Sequence, residues 1–301
     1  MPRLPKIAIL SDIHSNLPAL QAVLREVSAS GAEVLYVAGD TLGFAAWPRE
    51  CFELVQKIAA GCVLGNQDEH VDEVLRTGIP ATREWKGDSY LEGIVHSAKH
   101  LNSDLAASLR RLPMTLKIPG GIMAHASLDD PGAWNYIESR EAAWPTLLAL
   151  RELTERIGFF GHTHQQELFP DPDAAEGPEQ LDPLRWRLPE GLACAVTVGS
   201  VGQSRITRDQ RAAWTLWDPR ERMVAFRRTE YDNLAAAKAI IGTGLPRETA
   251  SVILHPDQEK AKVTWREVRF LKKTNQQTEF DLQTKFILLI QPFQYSIPFN
   301  F

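Results

Sequence analysis

Short apolar runs alternate along the chain with stretches whose apolar residues recur every three or four positions. Ile7-Ala8-Ile9-Leu10 predicts a strand buried on both faces. Leu20, Val23, Leu24 and Val27 predict a helix over 18–30, with Pro18 suited to its first turn. Val34–Val37 predicts a second strand, 51–60 a second helix and 62–64 a third strand. This rhythm predicts parallel strands covered by helices.

Residues 69–113 read as mainly helical, with Ser103 and Asp104 as helix starters before Leu105. Gly121–Ala124 and Ile157–Phe160 are short, apolar strand candidates. The segment 170–189 is rich in Pro, Asp and Glu and reads as an exposed loop. Stretches 193–198, 212–217 and 223–228 read as consecutive strands, antiparallel because their connections are short. From residue 251 there is no glycine, Ala261 is the sole alanine, and six of the chain's 12 phenylalanines occur. That shift divides the chain into a domain over 1–250, with a helical cap at about 69–113, and an extension over 251–301.

Composition narrows the class. The 301 residues suffice for a substantial core, and 44% hydrophobic with 24% charged residues excludes a disordered or fibrous chain. A net charge of −5 carries no general nucleic-acid signal. Cys51, Cys62 and Cys194 are too few and too scattered for a disulfide framework, and read as reduced thiols of a cytoplasmic protein. The apolar run at 286–290 is far below the roughly 20 residues of a membrane span.

Four motifs each follow a predicted strand: Asp12-Ile13-His14, Gly39-Asp40, Gly65-Asn66-Gln67-Asp68 and Gly161-His162-Thr163-His164. His125 follows a fifth strand. Open α/β sheets place ligands at the carboxyl ends of their strands. Residues two apart on extended chain share a face, so His-x-His and Asp-x-His each aim two donors one way. Oxygen and imidazole donors without thiolate suit Mn, Fe, Co, Ni or Zn better than Ca or Mg. Taken singly, Gly-Asp and Gly-Asn mark turns and a lone histidine is a satisfied core residue; the ordered set is what points to metal chemistry.

The set resembles the calcineurin-like metallophosphoesterase superfamily, and within it the small bacterial and archaeal phosphoesterases related to diadenosine tetraphosphatases. Ser11 to Asn16, Ala38-Gly39-Asp40, Gly65 to Asp68 and Gly199 to Gln203 carry the likeness, over roughly residues 6–250. The resemblance implies an α/β four-layer sandwich, two mixed β-sheets flanked by helices. It implies two divalent ions, manganese first, with Fe, Ni, Co or Zn as alternatives. Asp12, His14, Asp40 and His164 would hold one, and Asp40, Asn66, His125 and His162 the other, with Asp40 as the bridge. Hydrolysis of a phosphomonoester or phosphodiester would proceed by direct attack of metal-bound hydroxide, on a phosphorylated small molecule or a nucleotide. Asp40, Asn66 and His125 are the catalytic candidates, Asn16, Gln67 and Arg205 the candidate substrate contacts, and Asp68 a supporting residue behind them.

The chain departs from the family at Gln67, where a histidine is usual. Glutamine can donate a hydrogen bond but not a proton. His125-Ala126 also stands where His-Gly is usual. His70, His96, His100 and His255 lack paired ligand spacing, except that His96 and His100 lie four apart on a predicted helix. Alternative functions are a nucleotide pyrophosphatase, a protein phosphatase, a nuclease and a metal-binding scaffold without turnover. A homo-oligomer is compatible with any of them.

Overall fold

The structure, a computed structural model, describes residues 3–79, 86–206 and 208–254. Strand β1 (Ile7–Leu10) is buried on both faces, with Ile7 and Ile9 in one apolar cluster and Ala8 and Leu10 in another. That division is the period-two alternation of a strand between two layers. Next come α1 (Leu17–Ala29), β2 (Val34–Val37), α2 (Pro48–Ile58) and β3 (Gly61–Cys62). The apolar stripe of α1, including Leu20, Val23, Leu24 and Val27, covers one face of this sheet.

Three helices follow, α3 (Asn66–Thr77), α4 (Ser89–His100) and α5 (Ser103–Leu109), packed around Phe52, Val71, Ile94 and Leu109. Helix α5 begins at Ser103, one of the predicted starters, and the residue before it, Asn102, is the cap, its side chain accepting from Leu105 N at 2.9 Å. The chain continues through β4 (Thr115–Ile118), β5 (Gly121–Ala124), α6 (Arg140–Arg151), β6 (Ile157–Phe160), β7 (Gln166–Pro170), β8 (Glu179–Asp182), β9 (Arg185–Arg187), β10 (Cys194–Val198), β11 (Ala212–Asp218), β12 (Met223–Thr229), α7 (Asn233–Gly242) and α8 (Arg247–Ser251).

Two mixed sheets result, ordered β3-β2-β1-β11-β12-β9-β8 and β4-β5-β6-β10-β7. Ile7, Ile9, Met123, Ile157, Phe159, Val196, Trp217 and Phe226 fill the space between them. Helix α6 covers the outside of the five-stranded sheet through Ala143, Leu147 and Leu150. The architecture is the helix-flanked double sheet that the motifs imply.

Two local expectations are corrected. The segment 170–189 is not simply a loop, because it contains β8 and β9 at the edge of the larger sheet. Their polar composition is that of an edge hairpin: Arg187 pairs with Glu179 and Arg185 with Asp182 on the solvent side, while Trp186 packs against Phe226. The strands at 193–198 and 212–217 are not antiparallel neighbours. β10 lies between β6, parallel, and β7, antiparallel, whereas β11 pairs with β12 and β1 in the other sheet. The connection between β10 and β11 crosses from one sheet to the other beside β1, with Val201 N donating to Ser11 O at 3.0 Å.

Helix α8 spans the compositional change at 250–251, and the side chain of Ile253 is buried against α7 and Phe44. The remainder of the expected extension, with His255, lies outside the described residues. No helix among the described residues is long and apolar enough to cross a membrane.

Candidate metal centre

The loop after β1 is stitched to the loop after β2 by three backbone bonds: Asp12 N to Gly39 O, His14 N to Asp40 O and Ser15 N to Thr41 O, at 2.9–3.0 Å. The crossing segment secures it from the other side, where Gly202 N and Ser200 Oγ both donate to Asp12 O. Asp12, His14, Asp40, His162 and His164 all have left-handed backbone, with φ between 50° and 64°. Each such residue costs about 1–3 kcal/mol and persists only where its surroundings over-determine it. The chain therefore stores strain at five of the seven expected ligands.

Two glycines permit the close approach of these loops. A Cβ at Gly65 would lie 2.1 Å from Asp40 Oδ1, and one at Gly161 would lie 1.9 Å from Ser11 Oγ and 2.6 Å from Asp12 Oδ2. Neither position has room for a side chain.

The expected ligands converge from both sheets. His164 Nε2 lies 3.3 Å and His14 Nε2 3.6 Å from Asp12 Oδ1, and the two imidazole nitrogens lie 3.1 Å apart. His125 Nε2 lies 3.4 Å from Asp40 Oδ2, 4.0 Å from Asp12 Oδ1 and 3.1 Å from Asn66 Oδ1. Asp12, His14 and His164 thus form one potential ligand group, and Asp12, Asp40 and His125 another. In this arrangement Asp12 is common to both groups, while Asp40 belongs to one.

Hydrogen bonds behind the ligands set the tautomers. A carbonyl can only accept, so Nδ1 of His125 donates to Ala38 O at 2.7 Å and Nδ1 of His164 to Gln203 O at 2.6 Å. His14 Nδ1 makes a longer bond to Leu42 O, 3.4 Å. Each ring then turns its Nε2 lone pair inward when neutral. His162 is held the other way. Its Nε2 donates to Trp134 O at 3.0 Å, which leaves Nδ1 as the lone-pair nitrogen, and its backbone amide donates to Asp12 Oδ2.

The lone pairs of His14 and His164 therefore face one another beside Asp12 Oδ1, which is buried and accepts no hydrogen bond. Such an arrangement of acceptors without donors is unfavourable unless a cation neutralises it. The residues present fit divalent ions.

The electrostatics follow from the same packing. Burial and the adjacent His164 push His14 down to about 4, and burial with the adjacent His125 pushes His162 down to about 4. Burial opposes protonation of His125 too, but Asp40 and Asp12 outweigh it and raise this ring to about 10. Burial would raise Asp12, yet the imidazoles of His164, His125 and His14 hold it below the usual carboxylate range.

Asp68 stands behind the centre. Its carboxylate accepts from Leu42 N at 3.0 Å, Gly65 N at 3.2 Å and Thr41 N at 3.4 Å, and so ties α3 to the loop carrying Asp40. Burial and the nearby Asp40 raise it to about 7. Gln67 is buried, and its Oε1, which lacks a hydrogen-bond partner, leans over Gly43.

Asn16, a candidate substrate contact, has another part. It is fully buried, caps α1 through Ala19 N, and donates to Gly202 O at 2.9 Å and Tyr231 Oη at 3.3 Å. Its amide is committed to joining the β1 loop to the crossing segment. Arg205 is exposed on that segment, where its carbonyl accepts from Gln165 Nε2. His96 and His100 face each other with ring centroids 4.3 Å apart, away from both ligand groups.

Residues outside the motifs also border the centre. Tyr90 of α4 accepts from Asn66 Nδ2 at 3.2 Å, and its hydroxyl lies 2.6 Å from His70 Nδ1. Trp134 and Tyr136 approach from the loop before α6, against His125 and His162. The sequence carries no spacing signal for these three, since their neighbours are set by tertiary packing alone.

Comparison with known proteins bears on the family and the fold. A curated relative, the uncharacterized protein MJ0912 of Methanocaldococcus jannaschii, is 29% identical over 250 residues, 80% of this chain and 93% of that protein. The Escherichia coli (strain K12) phosphodiesterase YfcE is 34% identical over 93 residues, 27% of this chain and 49% of that enzyme. The crystal structure of a metallophosphoesterase from Sphaerobacter thermophilus superposes with a TM-score of 0.69 at 26% identity, over 83% of this chain and 98% of that one. The calcineurin-like phosphoesterase family model matches residues 5–166, more than half of the chain. With the double sheet and the Asp/His cluster at its strand ends, the chain belongs to the calcineurin-like phosphoesterase family, a family of hydrolases.

Proposed function

We propose that this chain uses two divalent ions, manganese first among them, to hydrolyse a phosphomonoester or phosphodiester without a covalent phosphoenzyme. The observation that carries the reading is the inward-facing set of acceptors: the Nε2 atoms of His14 and His164, 3.1 Å apart, beside the unbonded Oδ1 of Asp12. Asp12, His14, Asp40 and His164 would hold one ion, and Asp40, Asn66, His125 and His162 the other. The resemblance makes Asp40 the bridge; Asp12, which reaches each potential group, is the second carboxylate suited to that part. Bound there, divalent ions supply an acidified water at neutral pH and neutralise the phosphoryl charge.

The protein's own groups do the remaining work. The carbonyls of Ala38, Leu42 and Gln203 keep three imidazoles in the ligating tautomer. Asn66 turns its oxygen to His125 and its amide to Tyr90, so it is oriented before substrate arrives. Gln67, where the family usually has histidine, would offer a hydrogen bond but no proton, which favours leaving groups that depart as stable anions.

The same site would also serve a nucleotide pyrophosphatase or a protein phosphatase, whose reacting group is identical. The overall charge of −5 argues against a nuclease, and seven competent ligands argue against a scaffold that never turns over. The deciding experiment is a manganese-loaded substrate panel of phosphomonoesters, phosphodiesters and dinucleoside polyphosphates, run with parent protein and Asp40→Asn. Turnover of at least one class that Asp40→Asn abolishes is expected. No turnover of any class by ion-loaded parent would overturn the reading.

A further inference from the structure

Aromatic side chains from two parts of the fold border the half of the centre formed by Asn66, His125 and His162. Tyr90 touches Asn66 from α4. Trp134 sets its edge against His125, with ring centroids 5.8 Å apart at 70°. Tyr136 lies flat on His162, centroids 3.9 Å apart at 25°.

The segment carrying Trp134 and Tyr136 is firmly built. Ile137, the residue after Tyr136, is 2% exposed and sits in the cluster beneath α6. Trp134 O accepts from His162, and its indole N–H donates to Glu69 of α3 at 3.0 Å. Trp134 itself takes the left-handed conformation, φ 55°, to reach both partners. A ring so held could have been buried, yet Tyr136 is 43% exposed. One face is spent on His162, so the ring's exposure is left to its other face and its edges.

We propose that the other face of Tyr136 binds a planar aromatic group of the substrate, making the preferred substrate a nucleoside phosphoester. The assignment rests on the phosphoesterase reading above and adds the chemical class of the organic moiety. A base on the face of Tyr136 opposite His162 would have the tyrosine ring between it and the imidazole, leaving the ribose to span to a phosphate at the centre. Rigid, pre-oriented aromatic rings lose little entropy on stacking, and stacking tolerates any base because each has a π-face. One such stack is worth about tenfold in affinity or more.

The test uses two probes that differ only by a base, adenosine 5′-monophosphate and ribose 5-phosphate, titrated calorimetrically into manganese-loaded full-length protein. Parent protein should bind the nucleotide at least about tenfold more tightly. Tyr136→Leu should bring the ratio of the two dissociation constants close to one, and Tyr136→Trp should restore it. Ion content by elemental analysis, unchanged in both variants, shows that His162 is still in place. Equal affinity of the parent for both probes overturns the proposal. Equal weakening of both by Tyr136→Leu also overturns it, because the ring would then act only by orienting His162. Base-dependent binding with no turnover across the substrate panel would keep the stacking site and sink the hydrolytic reading instead.

Discussion

The backbone amide of Gln67 donates to Asp40 Oδ1 at 2.8 Å. That bond belongs to the main chain at the first turn of α3, and it holds whatever side chain stands at 67. The support of Asp40 and the choice of leaving-group chemistry are thus separable at one position. Gln67→His should raise kcat/KM mainly for poor leaving groups, by up to the 10²–10⁴-fold typical of general acid catalysis. Ion stoichiometry should stay at the parent value. The check is a plot of kcat/KM against leaving-group pKa for both proteins. A parent slope already flat, with chemistry rate-limiting, would mean that another group supplies the proton; His70, 2.6 Å from the Tyr90 hydroxyl, is the candidate to substitute next.

Ion content tests the carboxylates. Parent protein should bind about two divalent ions per chain, by the two-site logic of such centres. Asp12→Ala removes an oxygen that both potential groups use, and should lower the content below one ion. Asp40→Asn should leave one ion or fewer. Elemental analysis after dialysis decides it, and a parent value that never exceeds one would remove the bridge.

The close approach at Gly161 makes a stability prediction. An added methyl would meet Ser11 Oγ, itself bonded to Ala38 O at 2.9 Å, and Asp12 Oδ2. Overpacking of this kind costs about 1–3 kcal/mol. Gly161→Ala should lower the melting temperature by several degrees, of the order expected for a domain this size, and reduce ion binding. Unchanged melting and ion content would show that the two loops can part at no cost.

Asp209 gives a pH dependence remote from the centre. Its carboxylate, bonded to Arg211 and Arg228 and opposed only in part by burial, is lowered to about 2. A carboxyl depressed in the folded state stabilises above its unfolded pKa, and that stability is lost as pH falls through the folded value. Asp209→Asn should therefore be less stable than parent by about 1 kcal/mol at pH 6, a difference that shrinks between pH 4 and pH 2. Denaturant unfolding of both proteins at these pH values is the measurement. A gap that persists unchanged at pH 2 would assign the effect to something other than charge.

The position of the C-terminal boundary is open to truncation. Ile253 is 1% exposed, and Asn233 Nδ2 donates to its carbonyl at 2.8 Å. A chain ending at residue 250 should lose about 2–5 kcal/mol relative to one ending at 254, as for removal of a buried isoleucine. The chain ending at 254 should retain ion binding and hydrolysis. Unfolding of the 254-residue chain would place part of 255–301 in the core.

The candidate metal centre is legible because Asp-x-His and His-x-His follow short apolar runs, and the ends of such strands converge by topology. The elements missed were those whose composition points elsewhere. No element is predicted over residues 140–151, where α6 carries Pro145 in its interior, is capped by Ser139 and buries Leu147 and Leu150. β8 and β9 carry the charges of a loop because an edge hairpin faces water. The role of Asn16 was hidden for a different reason: Gly202 and Tyr231, which its amide joins, are far away in sequence. Nothing in the local pattern distinguishes Tyr136 from any surface tyrosine until the fold lays it on His162.

The expected ligands are divided between the sheets: Asp12, His14, Asp40 and Asn66 follow strands of the seven-stranded sheet, and His125, His162 and His164 follow strands of the five-stranded one. An unfolded chain offers an ion only isolated pairs, Asp12 with His14 or His162 with His164. The full set exists only after the two sheets have stacked face to face. An ion held across that seam as proposed would act as a rivet through the sandwich, with nearly all of its binding free energy credited to the native state. Loading with metal therefore reports that the two halves of the molecule have met in their correct registry.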